Sequence, residues 1–266
     1  MRLTLIVTTY NRPDALHAVL QSVLAQRELP EQIIVADDGS DHVTQSVINQ
    51  ARAAHSVDVR HVWQAHAGFR AARLRNLAIA AAGGDYLLIV DGDMLLHREF
   101  VADHRRIARR GYFTQGVRIL LDDERTASVL RDPLQPVRAG SAGLGGLRRL
   151  YAMHDSRCSR ALRHLANHMI ALKSCNQGFW REDLIRVNGF NEDFVGWGPE
   201  DKELCARLQF SGVRRQTLVC GGIAYHLQHL PAARDRYEFN ASILAATVAA
   251  RATRCARGVD AHLTHK

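Results

Sequence analysis

The chain has 266 residues, 47% apolar and 23% charged, with 35 Lys and Arg against 27 Asp and Glu for a formal charge of +8. This composition excludes a disordered chain and suffices for one large α/β domain or two small ones. A sequence pI near 9.6 favours phosphates, nucleic acid or an anionic membrane face as partners. In chain order, Leu3 to Thr8 reads as a first strand, followed by the loop Thr8-Thr9-Tyr10-Asn11-Arg12-Pro13. Asn11 is expected to cap the next helix, with Pro13 in its first turn and Leu16, Val19, Leu20, Val23 and Leu24 on its inner face. Gln32 to Ala36 is a second buried strand ending at Asp37-Asp38-Gly39-Ser40, and Ser40 or Asp41 opens a helix. A third strand over Val57 to Trp63 leads to a helix through Leu74, Leu77, Ala78 and Ala81, closed by Gly83-Gly84.

The next stretch, Gly84-Asp85-Tyr86-Leu87-Leu88-Ile89-Val90-Asp91-Gly92-Asp93, is the chemical centre. Five consecutive apolar residues mark a strand buried on both faces, and it delivers two carboxylates to its end. Open α/β sheets bind ligands at that edge, and paired carboxylates suit a hard cation carrying a phosphate. Taken alone, Asp-Gly-Asp is equally a surface turn. A helix over Phe100 to Ala108 and one strand over Tyr112 to Leu120 follow. The βαβαβαβ order makes the amino-terminal half a doubly wound, Rossmann-like nucleotide-binding sheet, and the missing G-x-G-x-x-G argues against NAD or FAD.

From Leu121 to about Ser174 the pattern decays into prolines, arginines and a glycine cluster (Gly140, Gly143, Gly145, Gly146). A long loop acting as a lid is expected there, with one or two amphipathic helices over Leu147 to Leu172. Order returns at Asn176, and Pro199 suits the first turn of a helix whose start carries Glu200 and Asp201. Val213 to Cys220 and Ile223 to Tyr225 read as strands, and Ala232 to Arg257 as a basic helix or two. The five cysteines contain no C-x-x-C pair and are expected to be reduced. With no signal-peptide pattern and no apolar run of membrane-span length, the expected location is cytoplasmic, peripheral at the inner face of the cell membrane. Nucleic acid is disfavoured as a partner because no aromatic-basic platform accompanies the charge.

Together the first-strand Thr-Thr-Tyr-Asn, the Asp-Asp-Gly-Ser turn, the Ala-Ala-Arg-Leu-Arg-Asn segment and the Asp-Gly-Asp strand end resemble a GT-A glycosyltransferase of family 2. The stretch from Asn176 to His226, with Gly-Trp-Gly-Pro-Glu-Asp, resembles the carboxyl-terminal part of β-1,4-galactosyltransferases, polypeptide GalNAc-transferases and bacterial chondroitin polymerase. The resemblance implies a GT-A fold: a mostly parallel central sheet with helices on both faces and an acceptor-side subdomain. It divides the chain into a nucleotide-sugar half (1–120), a variable insertion (121–174), an acceptor-side half (175–230) and a basic tail (231–266). It also implies donor contacts from Thr8, Tyr10, Asp38, Arg75, Asp91 and Asp93, and a Mn²⁺ or Mg²⁺ site of Asp91, Asp93 and His226, with His229 as a competing ligand. Asp201 becomes the catalytic base with Glu200 beside it, and Gly196 and Trp197 face the acceptor. Ile223 stands where β-1,4-galactosyltransferases have a methionine ligand, which argues against an exclusive manganese preference, and Lys202 replaces an acid, which implies an acceptor other than GlcNAc.

The implied reaction is inverting transfer of a hexose or N-acetylhexosamine from a UDP-sugar to a glycan or glycolipid hydroxyl. A non-catalytic or hydrolytic nucleotide-sugar binder and a sugar nucleotidyltransferase are the competing readings. The second lacks the glycine- and lysine-rich phosphate loop it would need after the first strand.

Overall fold

The computed structural model describes residues 1–144, 146–162, 167, 170–230 and 233–263. Gly145 of the glycine cluster, parts of the expected amphipathic helices (163–166, 168–169), Ala232 and the last three residues of the basic tail lie outside the described residues. The elements run β1 (Leu3–Thr9), α1 (Pro13–Leu24), β2 (Gln32–Asp37), α2 (His42–Ala54), β3 (Asp58–Trp63), α3 (Ala71–Ala81), β4 (Tyr86–Asp91), β5 (Met94–Leu96), α4 (Phe100–Ile107), β6 (Tyr112–Gly116) and β7 (Arg118–Leu120). They continue through α5 (Asp123–Arg131), α6 (Ser156–Leu162), β8 (Asn176–Trp180), α7 (Arg181–Arg186), α8 (Glu200–Phe210), β9 (Arg214–Leu218), β10 (Ala224–His226) and α9 (Tyr237–Ala249). Among the described residues no helix is long and apolar enough to cross a membrane.

The central sheet has seven strands in the order β3-β2-β1-β4-β8-β6-β9. β3, β2, β1 and β4 are parallel, β8 runs antiparallel to both β4 and β6, and β9 is parallel to β6. Alternation on β4 explains its unbroken apolar run. Tyr86, Leu88 and Val90 join one core with α1, while Leu87 and Ile89 join the other with α3 and α8. A second, three-stranded sheet has the order β5-β10-β7.

Several expectations are corrected. Tyr112–Leu120 is not one strand: the chain leaves the central sheet at Gly116 and enters the second sheet at Arg118. Gly116 abuts the Asn176 side chain so closely that an added Cβ would sit 2.2 Å from Asn176 Oδ1. Asn176 Nδ2 donates to the carbonyls of Val117 and Gly222, fixing the crossing. Asn176–Trp180, too short and polar to read as buried, is the antiparallel strand between β4 and β6. Asn11 does not cap α1. It has φ of 45° and instead accepts from the Asp41 amide, tying the loop after β1 to the loop after β2. Asp41 caps α2, accepting from the amides of Val43 and Thr44. Pro199 is the N-cap residue of α8 rather than part of its first turn.

The expected loop after Leu121 contains α5, opened by Asp122, whose carboxylate accepts from the Arg125 amide. Leu121, Val129, Val137 and Ala152 share a buried cluster with Tyr225 and Leu227, so this part of the expected lid is anchored on β10. The apolar residues of the segment are too sparse to show that packing as periodicity.

Gly92 shows why the acidic motif needs its glycine. The Gly92 amide donates to the Thr8 carbonyl at 2.6 Å, and an added Cβ would lie 2.7 Å from that same oxygen. The opposing atom is backbone and cannot swing aside. Gly92→Ala is therefore expected to cost about 1–3 kcal/mol, read as a lower urea midpoint at unchanged slope.

Candidate functional site

Strand register assembles the first part of the site. Thr8 of β1 is level with Asp91 of β4, and its Oγ1 donates to Asp91 Oδ1 at 3.1 Å. Beyond the Gly92 turn the chain runs into β5, which pairs antiparallel with β10 so that Met94 lies opposite His226. The Leu227 amide donates to the Asp93 carbonyl at 2.9 Å, closing the ladder beside the carboxylate. This pairing brings Asp93 and His226 together from opposite ends of the chain.

Asp93 Oδ2 lies 3.0 Å from His229 Nε2 and 3.6 Å from His226 Nε2. One ligand atom from each of the three residues falls within a 4.8 Å group. Asp93 Oδ1 and His226 Nδ1 are buried with no hydrogen-bond partner, which is costly unless a further group completes the site. Burial raises the Asp93 pKa, but the hydrogen bond from His229 and the two imidazoles outweigh it and hold the carboxyl below its usual range. The hydrogen bond to Asp93 raises His229, whereas burial lowers His226. One carboxylate and two imidazoles around unsatisfied buried atoms fit a divalent cation. His229, an alternative in the sequence reading, stands in the group together with His226. Asp91 stands outside it, paired with Thr8 and with Arg75 Nη2 at 3.4 Å.

On the nucleotide side, Tyr10 and Asp38 line the same cavity. His66 stacks on Tyr10 with centroids 4.3 Å apart at 11°, leaving the other ring face for a base. Gln64 Nε2 donates to Asp38 Oδ1, and His66 Nδ1 lies 3.5 Å from Asp38 Oδ2. Asp37 is buried against His61 and the Ser40 amide, so of this acidic pair Asp38 lines the cavity.

The two carboxylates at the start of α8 are joined to the donor side by Arg75, which is buried rather than a helix-surface arginine. Its Nη1 donates to Glu200 Oε1 at 2.9 Å, while Nη2 reaches Asp91 Oδ1 and Ser174 Oγ. Glu200 lines the cavity, and Asp201 beside it is buried to a similar degree. Asp201 is held by the backbone, Oδ2 accepting from the Ser174 amide at 2.8 Å and Oδ1 from the Lys202 amide at 2.7 Å. The two carboxylates thus stand side by side at the start of α8, Glu200 held by the Arg75 guanidinium and Asp201 by two backbone amides. Burial raises both, Glu200 to about 7 despite the opposing Arg75 charge.

Trp197 forms another wall, stacked under Arg234 at 4.6 Å and tilted against Tyr237. Its loop is shaped by Gly196, which has φ of 80° and donates to the Phe69 carbonyl. Gly196 thus sets backbone direction and is not itself among the cavity-lining residues. Asn240 of α9, fully buried, donates through Nδ2 to the carbonyls of Val195, Gly196 and Trp197. Sequence reasoning missed Asn240, Ser174 and His66. An asparagine in an alanine-rich helix was the one available signal.

These groups converge on a single cavity of about 980 Å³, which also takes in Thr8, Arg12, Arg118 and Gln228. Asn240→Ala is expected to release the Trp197 loop at a cost of about 1–3 kcal/mol. The checks are the unfolding midpoint and a change in Trp197 fluorescence as its contacts with Arg234 and Tyr237 loosen.

Comparison with known proteins came back to two families. The model described as glycosyl transferase family 2 matches residues 4–166, and the one described as N-terminal domain of galactosyltransferase matches residues 157–230. A hyaluronan synthase of Pasteurella multocida is 29% identical over 239 residues, covering 84% of this chain and 24% of its own. The chain thus spans about a quarter of that relative. Among solved structures, residues 1–349 of S. aureus TarS in complex with UDP superpose with a TM-score of 0.66 at 15% identity, covering 98% of this chain and 68% of that one. The mannosyltransferase PcManGT of Pyrobaculum calidifontis, in complex with GDP-Man and Mn²⁺, gives 0.57 at 20% identity, covering 85% and 56%. At these identities the structural matches establish the GT-A fold.

Proposed function

The chain belongs to glycosyl transferase family 2, and on that premise we propose that it moves a hexose or N-acetylhexosamine from a UDP-sugar to a glycan hydroxyl with inversion. The observation that carries this reading is the convergence, in one cavity, of the Tyr10–Asp38 nucleotide wall, the Asp93–His226–His229 group and Glu200. Tyr10 and Asp38 take the uracil, by stacking and by accepting from the base imide. Asp93, His226 and His229 hold a divalent cation, and when bound it supplies positive charge against the departing diphosphate. Magnesium prefers an all-oxygen shell, so two imidazoles favour Mn²⁺ over Mg²⁺.

The acceptor oxygen forms its bond to the anomeric carbon as the bond from that carbon to the diphosphate oxygen breaks. The electron pair leaves with UDP, and the acceptor proton passes to the Glu200–Asp201 pair. Glu200 lines the cavity, and the resemblance assigns the role to Asp201. Arg75 keeps the pair aligned with the Asp91 side of the sheet. Trp197 offers an apolar ring face against which an acceptor sugar packs.

A donor screen for Mn²⁺-dependent UDP release, with and without oligosaccharide acceptors, tests the activity, and chelator is expected to abolish release. Release independent of acceptor would favour the hydrolytic alternative. Of Glu200→Gln and Asp201→Asn, the change that removes the proton acceptor should lower kcat by about 10²–10⁴-fold. Near-normal kcat in both folded variants would remove the pair from the mechanism. Because Glu200 is lifted to about 7, it is protonated and unable to accept a proton below that pH. If it is the base, kcat rises through neutrality and levels above it, and Glu200→Gln removes that limb.

We extend the proposal to location, at the cytoplasmic face of an anionic membrane where a lipid-linked acceptor would be presented. The net charge of +8 supports it, as do the exposed Tyr237 and Phe239 on α9 next to Arg234 and Arg236. Co-sedimentation with phosphatidylglycerol vesicles, weakening with salt, is the expected result; equal partition onto neutral vesicles or none at all would reject it.

A further inference from the structure

The cations of the cleft wall are nearly all engaged. Arg12 pairs with Asp14, Arg75 with Glu200 and Asp91, and Arg234 lies over Trp197. Arg118 differs. It lines the cavity, yet among the described residues its side chain has no hydrogen bond, ion pair or ring contact, and its Nε is buried without a partner. A guanidinium carries five donors in a fixed fork. Holding it partly buried and unpaired is unfavourable unless an anion arrives.

Its position identifies the anion. Arg118 and Leu120 occupy β7, level with Ala224 and His226 of β10. Between them Ile119 and Tyr225 turn into the buried cluster beneath the second sheet. Alternation therefore puts Arg118 on the same sheet face as His226, two residues or about 7 Å along the strand. Asp93 reaches that face from the other neighbour of β10. An unpaired guanidinium thus stands beside the proposed cation group, on the same wall.

We propose that Arg118 grips the diphosphate of the nucleotide-sugar, binding non-bridging phosphate oxygens that the cation leaves free. This rests on the donor reading above and adds a residue that directly touches the leaving group. The guanidinium accepts no proton and gives none. As the bond to the anomeric carbon breaks, the charge gathering on the diphosphate meets a planar fork matched to phosphate oxygens. Arginine is required by geometry as well as charge, since lysine supplies only a point charge.

The test is calorimetric titration of wild type, Arg118→Ala and Arg118→Lys with UDP, uridine and UDP-glucuronate, in Mn²⁺. Alanine should weaken UDP about 10–100-fold and leave uridine unchanged, with lysine in between. Unchanged UDP affinity in Arg118→Ala overturns the proposal, as does an equal loss for uridine and UDP. So does a loss seen only with UDP-glucuronate and not with UDP, which would assign Arg118 to a sugar carboxylate. If alanine disturbs folding, Arg118→Lys decides alone, since losing the fork should still weaken UDP selectively. Wild type that binds neither uridine nor UDP refutes the donor reading itself, an outcome distinct from the others.

Discussion

The site depends on the antiparallel pairing of β5 with β10. The β4 strand ends on Asp91, turns over Gly92 against the Thr8 carbonyl, and re-enters a different sheet at Met94. Because Met94 is opposite His226, the carboxylate preceding it is delivered to the two imidazoles at the end of β10. Without that second sheet Asp93 would be one more acidic residue at the edge of a doubly wound fold. With it, a carboxylate and two histidines share one small volume, a donor set that fits a divalent cation.

A second constraint is electrostatic. Arg75 is buried and shared among Asp91, Glu200 and Ser174, so one guanidinium ties the end of β4 to the start of α8. The cost of burying that charge is offset only because acids meet it on both sides. The arrangement fixes the distance between the donor edge and the carboxylate pair, which a transfer reaction needs held. It also explains why Arg75 and Asp91, both expected to touch the donor, spend their hydrogen bonds on each other and on protein neighbours.

Much of the central sheet was legible because its strands are buried on both faces and read as unbroken apolar runs. Tyr86 to Val90 is the clearest of them. The helices of the first half were legible from period alone, and Pro13 marked the first turn of α1 as its fixed φ dictates. What was misread shares one physical feature: the stabilising contacts are polar or distant. Asn176–Trp180 carries Asn and Gln into the core, held by side-chain bonds from Asn176 and from Gln177 Nε2 that no hydrophobicity pattern registers. The break at Gly116 follows from the Asn176 side chain, and α5 from an aspartate cap with few buried residues behind it.

By itself the sequence singled out the candidate residues: acids at strand ends, histidines after a late strand, and a Glu-Asp pair opening a helix. Those features depend on local backbone geometry and on burial, both of which short-range pattern encodes. Only the tertiary structure decided that His229 joins His226, that Glu200 is held by the buried Arg75, and that the Arg118 side chain alone among the cleft arginines lacks a partner among the described residues. Such choices turn on strand order, register and the direction of individual side chains. They are fixed by contacts between segments far apart in the chain, and no local period records them.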